Sequence, residues 1–329
     1  MRIASRECLV VVALGTLAAS AIADTITLSS WVPQFEGVSL ATATILSSAD
    51  STTVNTSVAY IERIDLTAPG IGFTTTPPSG PLETTSQTTS QFLQSSGAQV
   101  AINANFFSNV AATPGPEDLL GLAVSNGTVV SPQAFGSDDA AASLLLSKTN
   151  QATIFPAGTT PVNLTNVFNA VSGNQIVTNG VDASSITPVG APHDPFGLDP
   201  RTGVGLSQNE QYLYLIAVDG RQPGYSIGIT TSTEAALMLD LGIYSGLNLD
   251  GGGSTALVES DGQGGARLID SPSGSFGVLE RYDGNNLGVL ANPIPTPEPS
   301  LMAGVASGLI GLLTVAQVRR TRWSQSRKI

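Results

Sequence analysis

The sequence predicts an α+β fold, in which mainly antiparallel sheet is flanked by a few helices. Aromatic residues make up only 5% of the chain, and its apolar residues fall in short alternating runs between small polar ones, as is typical of strands. Asn126-Gly127 interrupts the run GLAVSNGTVVS (121–131), and this dipeptide is the strongest short signal for a β-hairpin. TSTEAALMLDLG carries helix-start and helix-stop signals, so helices are present but few.

The first half of the chain predicts a strand, a short helix and a second strand before the hairpin. VAYIERIDL (58–66) alternates as a strand does. SQTTSQFLQSSG predicts a short helix that Gly97 closes. The segment AQVAINANFF (98–107) predicts a strand with three residues on one face, namely Asn103, Asn105 and Phe107.

The second half predicts a strand followed by a helix. The strand covers residues 212–218, so Asp219 lies where it ends. Thr231 and Glu234 have the spacing of a capping box, and Gly242 suits the position just after the last turn. A helix of about ten residues is therefore expected between them.

The stretch NLDGGGSTALV (248–258) joins two further strands through three glycines. Asn248 and Asp250 lie on one side of the first strand, because side chains alternate. Consecutive glycine N–H groups can bind an anion, and Ser254 and Thr255 add hydroxyls; the alternative is a tight turn that needs positive φ. No Gly-Lys-Ser/Thr follows and the next element is a strand, which excludes a Walker loop and a dinucleotide-binding loop.

Both ends of the chain carry export signals. Basic residues, an apolar run and Ala21-Ile22-Ala23 follow one another in residues 1–23, as in a signal peptide cleaved before Asp24. In residues 293–329, Pro-Glu-Pro precedes an apolar segment (301–318) and an Arg-rich tail. This order resembles the PEP-CTERM sorting signal, which implies signal peptidase and exosortase as partners; the alternative is an ordinary membrane anchor with a cytoplasmic tail.

Charge limits the function of the region between these signals, residues 24–299. It has six basic and 24 acidic residues, a net charge of −18, which disfavours nucleic acid and anionic membranes as partners. Cys8 leaves with the signal peptide, so no disulfide is expected. His193 is the only histidine, which excludes a His-rich metal site, and no cofactor or metal is predicted.

Five segments together resemble the phosphodiester glycosidase family: AINANFF, DPRTGVGLS, YLIAVDGRQPGYSIGIT, LGIYSGLNLDGGGSTALV and NNLGV. The resemblance implies a phosphodiester-glycosidase-like domain over 24–292 and hydrolysis of phosphodiester-linked sugars. Two motifs depart from the family pattern. Ala104 and Asn105 stand where glycine is usual after the first Asn, and Gly203 stands where alanine is usual after Arg-Thr.

The candidate site residues lie in these motifs. Asp219 and Asp250 are the predicted carboxylate pair for glycoside cleavage, and Arg221 is the predicted catalytic arginine. Arginine suits a bidentate grip on phosphate. The alternative is that Arg221 and Arg201 form internal salt bridges to Asp219 or Asp250, and that one or both carboxylates merely orient the arginines. Asn103 and Asn248 could bind sugar hydroxyls or cap strand ends. The predicted substrate-binding residues are Asn103, Arg201, Thr202, Asn248, Gly251, Gly252, Gly253, Ser254 and Thr255.

The function expected from these observations is that of an exported hydrolase. It would cleave a sugar-1-phosphodiester or a related glycosidic linkage in envelope or exopolysaccharide material. It would act in the bacterial envelope or outside the cell, transiently anchored by the C-terminal segment. One alternative is a non-catalytic polysaccharide-binding surface protein on the same scaffold. A purely structural envelope protein is the other, and it leaves the arginines without a role.

Overall fold

A computed structural model describes residues 24–48, 54–135, 141–158, 160–185, 197–274 and 279–295. The predicted signal peptide, residues 296–329 of the predicted sorting signal with its 301–318 segment, and His193 lie outside these residues. Within them, no helix is both long and apolar enough to cross a membrane.

The described residues form many short strands and two α-helices, so the fold is mainly antiparallel sheet and poorer in helix than the sequence suggested. The helices are α1 (Thr89–Ser96) and α2 (Thr231–Asp240), and 3₁₀ turns cover Leu164–Asn166 and Gly252–Ser254. The strands are β1 (Thr25–Leu28), β2 (Val32–Phe35), β3 (Val38–Ser48), β4 (Val54–Asp65), β5 (Gly72–Thr75), β6 (Thr84–Thr85), β7 (Val100–Asn103), β8 (Pro116–Glu117), β9 (Ala123–Ser125), β10 (Thr128–Ser131), β11 (Ala142–Leu146), β12 (Ala152–Phe155), β13 (Asn169–Thr178), β14 (Val181–Asp182), β15 (Arg201–Ser207), β16 (Tyr212–Val218), β17 (Ile243–Asn248), β18 (Leu257–Ser260), β19 (Ala266–Leu268) and β20 (Asn286–Leu290).

Two sheets build the domain. The larger has the order β1-β3-β4-β16-β15-β17-β13-β11-β12, with β2, β9, β10 and β14 attached to it. The smaller has the order β19-β18-β7-β20-β5, and β6 pairs with β8 separately. Neighbouring strands run antiparallel in both large sheets.

The central strands of the larger sheet are buried on both faces. Leu213, Leu215 and Ala217 of β16 join a core shared with β7, β18 and β20 of the smaller sheet. Tyr214, Ile216 and Val218, the alternate residues of the same strand, pack in a second core together with α2. Since successive side chains point to opposite faces, a strand between two cores must be apolar throughout, as the run YLYLIAV is.

Local signals fix several elements as predicted. Thr88 and Gln91 form a capping box at the start of α1, and Gly97 ends it at φ 73°. Asn126 and Gly127 both have positive φ in the β9–β10 hairpin, the geometry that the favoured two-residue turn requires.

The predicted start of α2 was wrong by one residue. Thr230 caps the helix, and its side chain accepts the Thr233 N–H. Glu234 therefore makes no capping box with Thr231. Its side chain is fully buried beneath the helix.

Candidate active site

The candidate site lies where the two sheets meet. Asn103, the last residue of β7, donates from Nδ2 to the Asp250 carbonyl oxygen at 2.6 Å. Its Oδ1 accepts from Thr202 Oγ1 at 2.9 Å and from the Ala256 N–H at 3.2 Å. Thr255 Oγ1 lies 3.1 Å from Thr202 Oγ1. One buried amide therefore ties the ends of β7 and β15 to both sides of the glycine turn.

The glycine turn is crowded by its neighbours, which explains the missing side chains. Gly252 has φ 62° and opens a 3₁₀ turn that includes the buried Gly253. A Cβ on Gly251 would lie 2.7 Å from the Pro200 carbonyl oxygen, and a Cβ on Gly252 would lie 3.0 Å from Arg221 Nη2. Gly252 therefore has a positive φ and is also closely approached by another group, and that group is the guanidinium of Arg221.

Arg221 is held over this turn by its own backbone and by an acid. Its φ is 59°, an unusual conformation for a residue with a side chain. Its Nε lies 2.9 Å from Asp199 Oδ1, and 47% of its side chain is exposed. The guanidinium therefore reaches solvent beside Asp250 while one of its edges is fixed.

Asp250 is the nearly buried acid of the turn, with 9% of its surface exposed. Burial raises the pKa of its carboxyl to about 6, against the lowering effects of the Ser254 hydroxyl and of Arg281 and Arg221. Ser254 Oγ also accepts from Arg281 Nη1 at 3.0 Å. Two arginines and an acid whose pKa burial raises to about 6 thus lie at the turn.

A second acid of this group, Asp283, was not singled out from the sequence. It is 1% exposed, and neither carboxyl oxygen has a hydrogen-bond partner among the described residues. Burial raises the pKa of this carboxyl well above its ordinary value, and the nearby Asp250 raises it further. The sequence carries no local signal for this acid, because its place follows from the pairing of β20 with β7 through Asn286 and Asn103. Residues just before Asn286 must therefore end up near Asn103.

Asp219 belongs to a different group of side chains. Its carboxyl accepts from the Tyr225 hydroxyl and from the Ser271 N–H, each at 2.8 Å. Burial raises the pKa of this carboxyl, and both hydrogen bonds oppose the rise. Tyr225 in turn lies 3.0 Å from the Tyr60 hydroxyl. The pairing of Asp219 with Asp250 stays a prediction.

Arg201 points to the helix side of the larger sheet. It is 6% exposed, its Nε donates to the Ile229 carbonyl at 2.9 Å, and its Nη2 donates to the Gly197 carbonyl at 2.8 Å. Asn248 is opposite Gly203 in the β15–β17 register, and no described residue hydrogen-bonds its buried Oδ1. The contacts of Arg201 favour a role in fixing loops.

The two departures from the family motif have packing explanations. Asn105 donates to the Leu120 and Leu122 carbonyls and accepts from the Ser172 N–H and from Asn285. A Cβ at Gly203 would lie 2.6 Å from Glu234 Oε1 and from Met238 Cε. Neither position therefore widens the glycine-turn site.

Comparison with known proteins gives one family and several structural relatives. Residues 96–290 match the sequence profile of the phosphodiester glycosidase family. No functionally curated protein matches the chain by sequence. The described residues contain no group of three or more His, Cys, Asp or Glu side chains arranged to hold a metal ion.

Solved structures that share the fold include three from different organisms. The zebrafish N-acetylglucosamine-1-phosphodiester alpha-N-acetylglucosaminidase catalytic domain, auto-inhibited by its pro-peptide, is 16% identical, with a TM-score of 0.57 over 83% of this chain and 89% of that one. A Burkholderia pseudomallei protein described as exported is 14% identical, with a TM-score of 0.58 over 82% and 97%. A hypothetical protein from Synechocystis is 15% identical, with a TM-score of 0.52 over 77% and 62%. At 14–16% sequence identity, this structural similarity establishes a shared fold alone.

The family profile covers more than half of the chain. Its range includes the whole glycine turn, the strand end that carries Asn103, and β20 with the residues before it. The chain therefore belongs to the phosphodiester glycosidase family.

Proposed function

We propose that this protein hydrolyses the bond between the anomeric carbon of a sugar and the phosphate of a sugar-1-phosphodiester in envelope or exopolysaccharide material. The observation that carries the proposal is the setting of Asp250 at the glycine turn, where Arg221 lies against Gly252, Arg281 donates to Ser254, and both arginines act on the Asp250 carboxyl. A mature region with a net charge of −18 repels anions at long range. Two local arginines are what it needs to hold a phosphodiester.

The arginines would hold the phosphate while Asp250 acts at the sugar. Arg221 has an exposed guanidinium edge beside the turn, and a planar guanidinium matches two phosphate oxygens. Asp250 would take the proton of the water that attacks the anomeric carbon. The C–O bond then breaks with its electron pair leaving on the phosphate, which yields a free sugar and a phosphomonoester.

A phosphate is a good leaving group, so this reaction depends less on a general acid than ordinary glycoside cleavage does. Asp219 remains the predicted second carboxylate, and its hydrogen bond from Tyr225 would orient it. Asn103 and Thr202 support the turn through buried hydrogen bonds. Their proposed role in substrate binding is thus to fix the backbone that meets the sugar.

The zebrafish relative is named for cleavage of an N-acetylglucosamine-1-phosphodiester, and this sugar is therefore the first to test. The N-terminal and C-terminal signals read from the sequence support export to the envelope. A non-catalytic polysaccharide-binding protein would need neither an acid of raised pKa nor paired arginines.

The test is the release of sugar and phosphomonoester from an N-acetylglucosamine-1-phosphodiester by the purified chain. Asp250→Asn should abolish release, whereas Asp182→Asn, on an exposed strand, should leave it unchanged. Because Asp250 must be ionised to accept a proton, activity should rise with pH through about 6. Binding of polysaccharide without release from any phosphodiester of a sugar panel would instead favour the non-catalytic alternative.

A further inference from the structure

Arg63, on β4, is a half-buried cation that the proposed reaction does not use. Its guanidinium carbon lies 4.4 Å from the centre of the Trp31 ring and 5.2 Å from the centre of the Tyr212 ring. Both distances are within the range of cation–π attraction. A third ring, that of Tyr214, lies 6.4 Å from Trp31. These four residues form an arginine–aromatic cluster in which the rings fix the position of the arginine.

The guanidinium of Arg63 has no polar partner among the described residues. The ion pairs there belong to Arg221 and Arg267, and no described residue accepts a hydrogen bond from Arg63. Asp65 lies on the same face of β4, but its Oδ1 accepts from the Thr67 N–H and hydroxyl at 3.0 and 2.6 Å. A guanidinium carries its N–H donors in one plane, where two of them match two oxygens of one anion. Those of Arg63 are held in place and open to a ligand.

The arginine–aromatic cluster is separate from the glycine-turn site. Arg63 is opposite Tyr214 in the β4–β16 register, and the three rings pack with the core on the α2 side of the larger sheet. Thr202, which belongs to the glycine-turn site, is opposite Ala217 on the other face of that sheet. Ala217 comes five residues after Tyr212 in β16, a distance of about 17 Å along the strand.

Charge selects the kind of ligand that this cluster can take. Residues 24–299 carry a net charge of −18 with only six basic residues, so most of the surface repels anions. A fixed guanidinium with open donors is a local exception, and it suits the oxygens of a carboxylate or a sulfate. The rings beside it offer apolar faces, which can pack against the C–H groups of a sugar ring. An acidic sugar has both of the features that the cluster matches.

We propose that Trp31, Arg63 and Tyr212 form a second carbohydrate site, which binds an acidic sugar unit of a polysaccharide. The guanidinium of Arg63 binds the anionic group of the sugar, and the aromatic rings pack against the sugar ring. No covalent bond is made or broken at this site. It holds the protein on an anionic polymer, and it goes beyond the proposed hydrolysis without depending on it.

The first experiment measures binding of the purified chain to immobilised polygalacturonate, dextran sulfate and neutral dextran by biolayer interferometry. At 0.15 M salt, charges more than about 8 Å apart are largely screened, so long-range repulsion by the acidic surface is weak. We expect binding to at least one of the two acidic polymers and little to dextran. Preference for polygalacturonate would identify a carboxylate sugar, and preference for dextran sulfate a sulfated one. Binding to neither, or equal binding to dextran, would overturn the proposal.

The second experiment repeats this measurement with variants of the cluster. Arg63→Gln should raise Kd for the bound polymer by about tenfold or more, and Arg63→Lys, which keeps the charge but not the planar fork, should recover little of the loss. Trp31→Leu should raise Kd by about fivefold, because the ring is lost. Lys148→Gln is the matched control, since Lys148 Nζ also lies over a ring, 5.7 Å from the centre of Phe168. Its Kd should equal that of the wild type, and a loss as large as in Arg63→Gln would overturn the proposal in favour of net charge alone.

Sugar release from a small N-acetylglucosamine-1-phosphodiester separates this site from the proposed active site. Arg63→Gln should leave that activity unchanged, because the cluster lies on the other face of the sheet, and thermal melting shows whether the variant is folded. A folded Arg63→Gln that binds the acidic polymers as tightly as the wild type would overturn the inference, because Arg63 would then only pack against the rings. Binding that depends on Arg63, without hydrolysis of any phosphodiester, would refute the proposed function and support the second carbohydrate site.

Discussion

Replacing Gly252 with alanine tests why the turn carries three glycines. The residue has φ +62°, and the added Cβ would lie 3.0 Å from Nη2 and 3.4 Å from Cζ of Arg221. Two separate effects are therefore expected. One is backbone strain, which lowers stability, and the other is displacement of the arginine, which lowers activity.

The two effects differ in size. Placing alanine in the left-handed region costs about 1–2 kcal/mol, and 1 kcal/mol lowers Tm by about 2–4 °C in a domain of this size. The Arg221 contact adds little to this cost, because a flexible side-chain end can move by a few tenths of an ångström. A phosphate-binding group so displaced should lower kcat/KM by about tenfold or more.

Gly262→Ala is the matched control. Gly262 has φ +73°, and nothing lies within 4 Å of the Cβ it would gain. This variant therefore has the backbone strain of a positive φ but no contact between the new Cβ and another group. Thermal melting and sugar release are measured for both variants. We expect similar losses of Tm, with the loss of activity confined to Gly252→Ala. Equal and full activity in both would refute the reasoning, because the guanidinium over the turn would then have no part in catalysis.

Three further outcomes are expected. Arg221→Lys should raise KM for a phosphodiester by about tenfold although the charge is kept. Lysine lacks the planar guanidinium that can bind Asp199 and a phosphate at the same time. An unchanged KM would show that Arg221 acts only as a counter-ion. Glu234 has a folded pKa raised to about 8 by burial, so its cost to stability is absent below its unfolded pKa, grows as pH rises from there to about 8, and levels off above it. Glu234→Gln should therefore gain about 4 kcal/mol of unfolding free energy at pH 8 and less than about 1 kcal/mol at pH 5, and equal gains in urea at both pH values would contradict this. A chain ending at residue 295 should unfold cooperatively, because Asn292 still bonds to Glu36 and to Pro69; aggregation would make the C-terminal segment part of the fold.

The elements that could be predicted from the sequence are those whose geometry is decided by residues adjacent in the chain. The β9–β10 turn needs only Asn126-Gly127, and α1 needs only Thr88, Gln91 and Gly97, because turn and cap geometry is decided within four or five residues. The strand 212–218 was recognisable as an unbroken apolar run. The error at Thr231 has the same origin, since one threonine sits beside another and each could cap.

The parts of the site that could not be predicted depend on how the two sheets pack. Alternation along β15 puts Arg201 and Thr202 on opposite faces, but only the packing shows that Thr202 meets Asn103. Asp283 comes 33 residues after Asp250 in the sequence, and no local pattern joins them. Their proximity follows from the pairing of β20 with β7, which is a long-range property.

The same packing changes where substrate preference should be sought. Gly203 departs from the family pattern at a motif position, but its missing methyl leaves room for Glu234 Oε1 and Met238 Cε on the helix side of the sheet. Glu234 and Gly203 are thus two halves of one packing arrangement, and neither faces the glycine turn. The ionisable groups that interact with Asp250 are Arg221, Arg281 and Asp283. Differences in substrate within the family should therefore follow residues at these positions more closely than residues at 203.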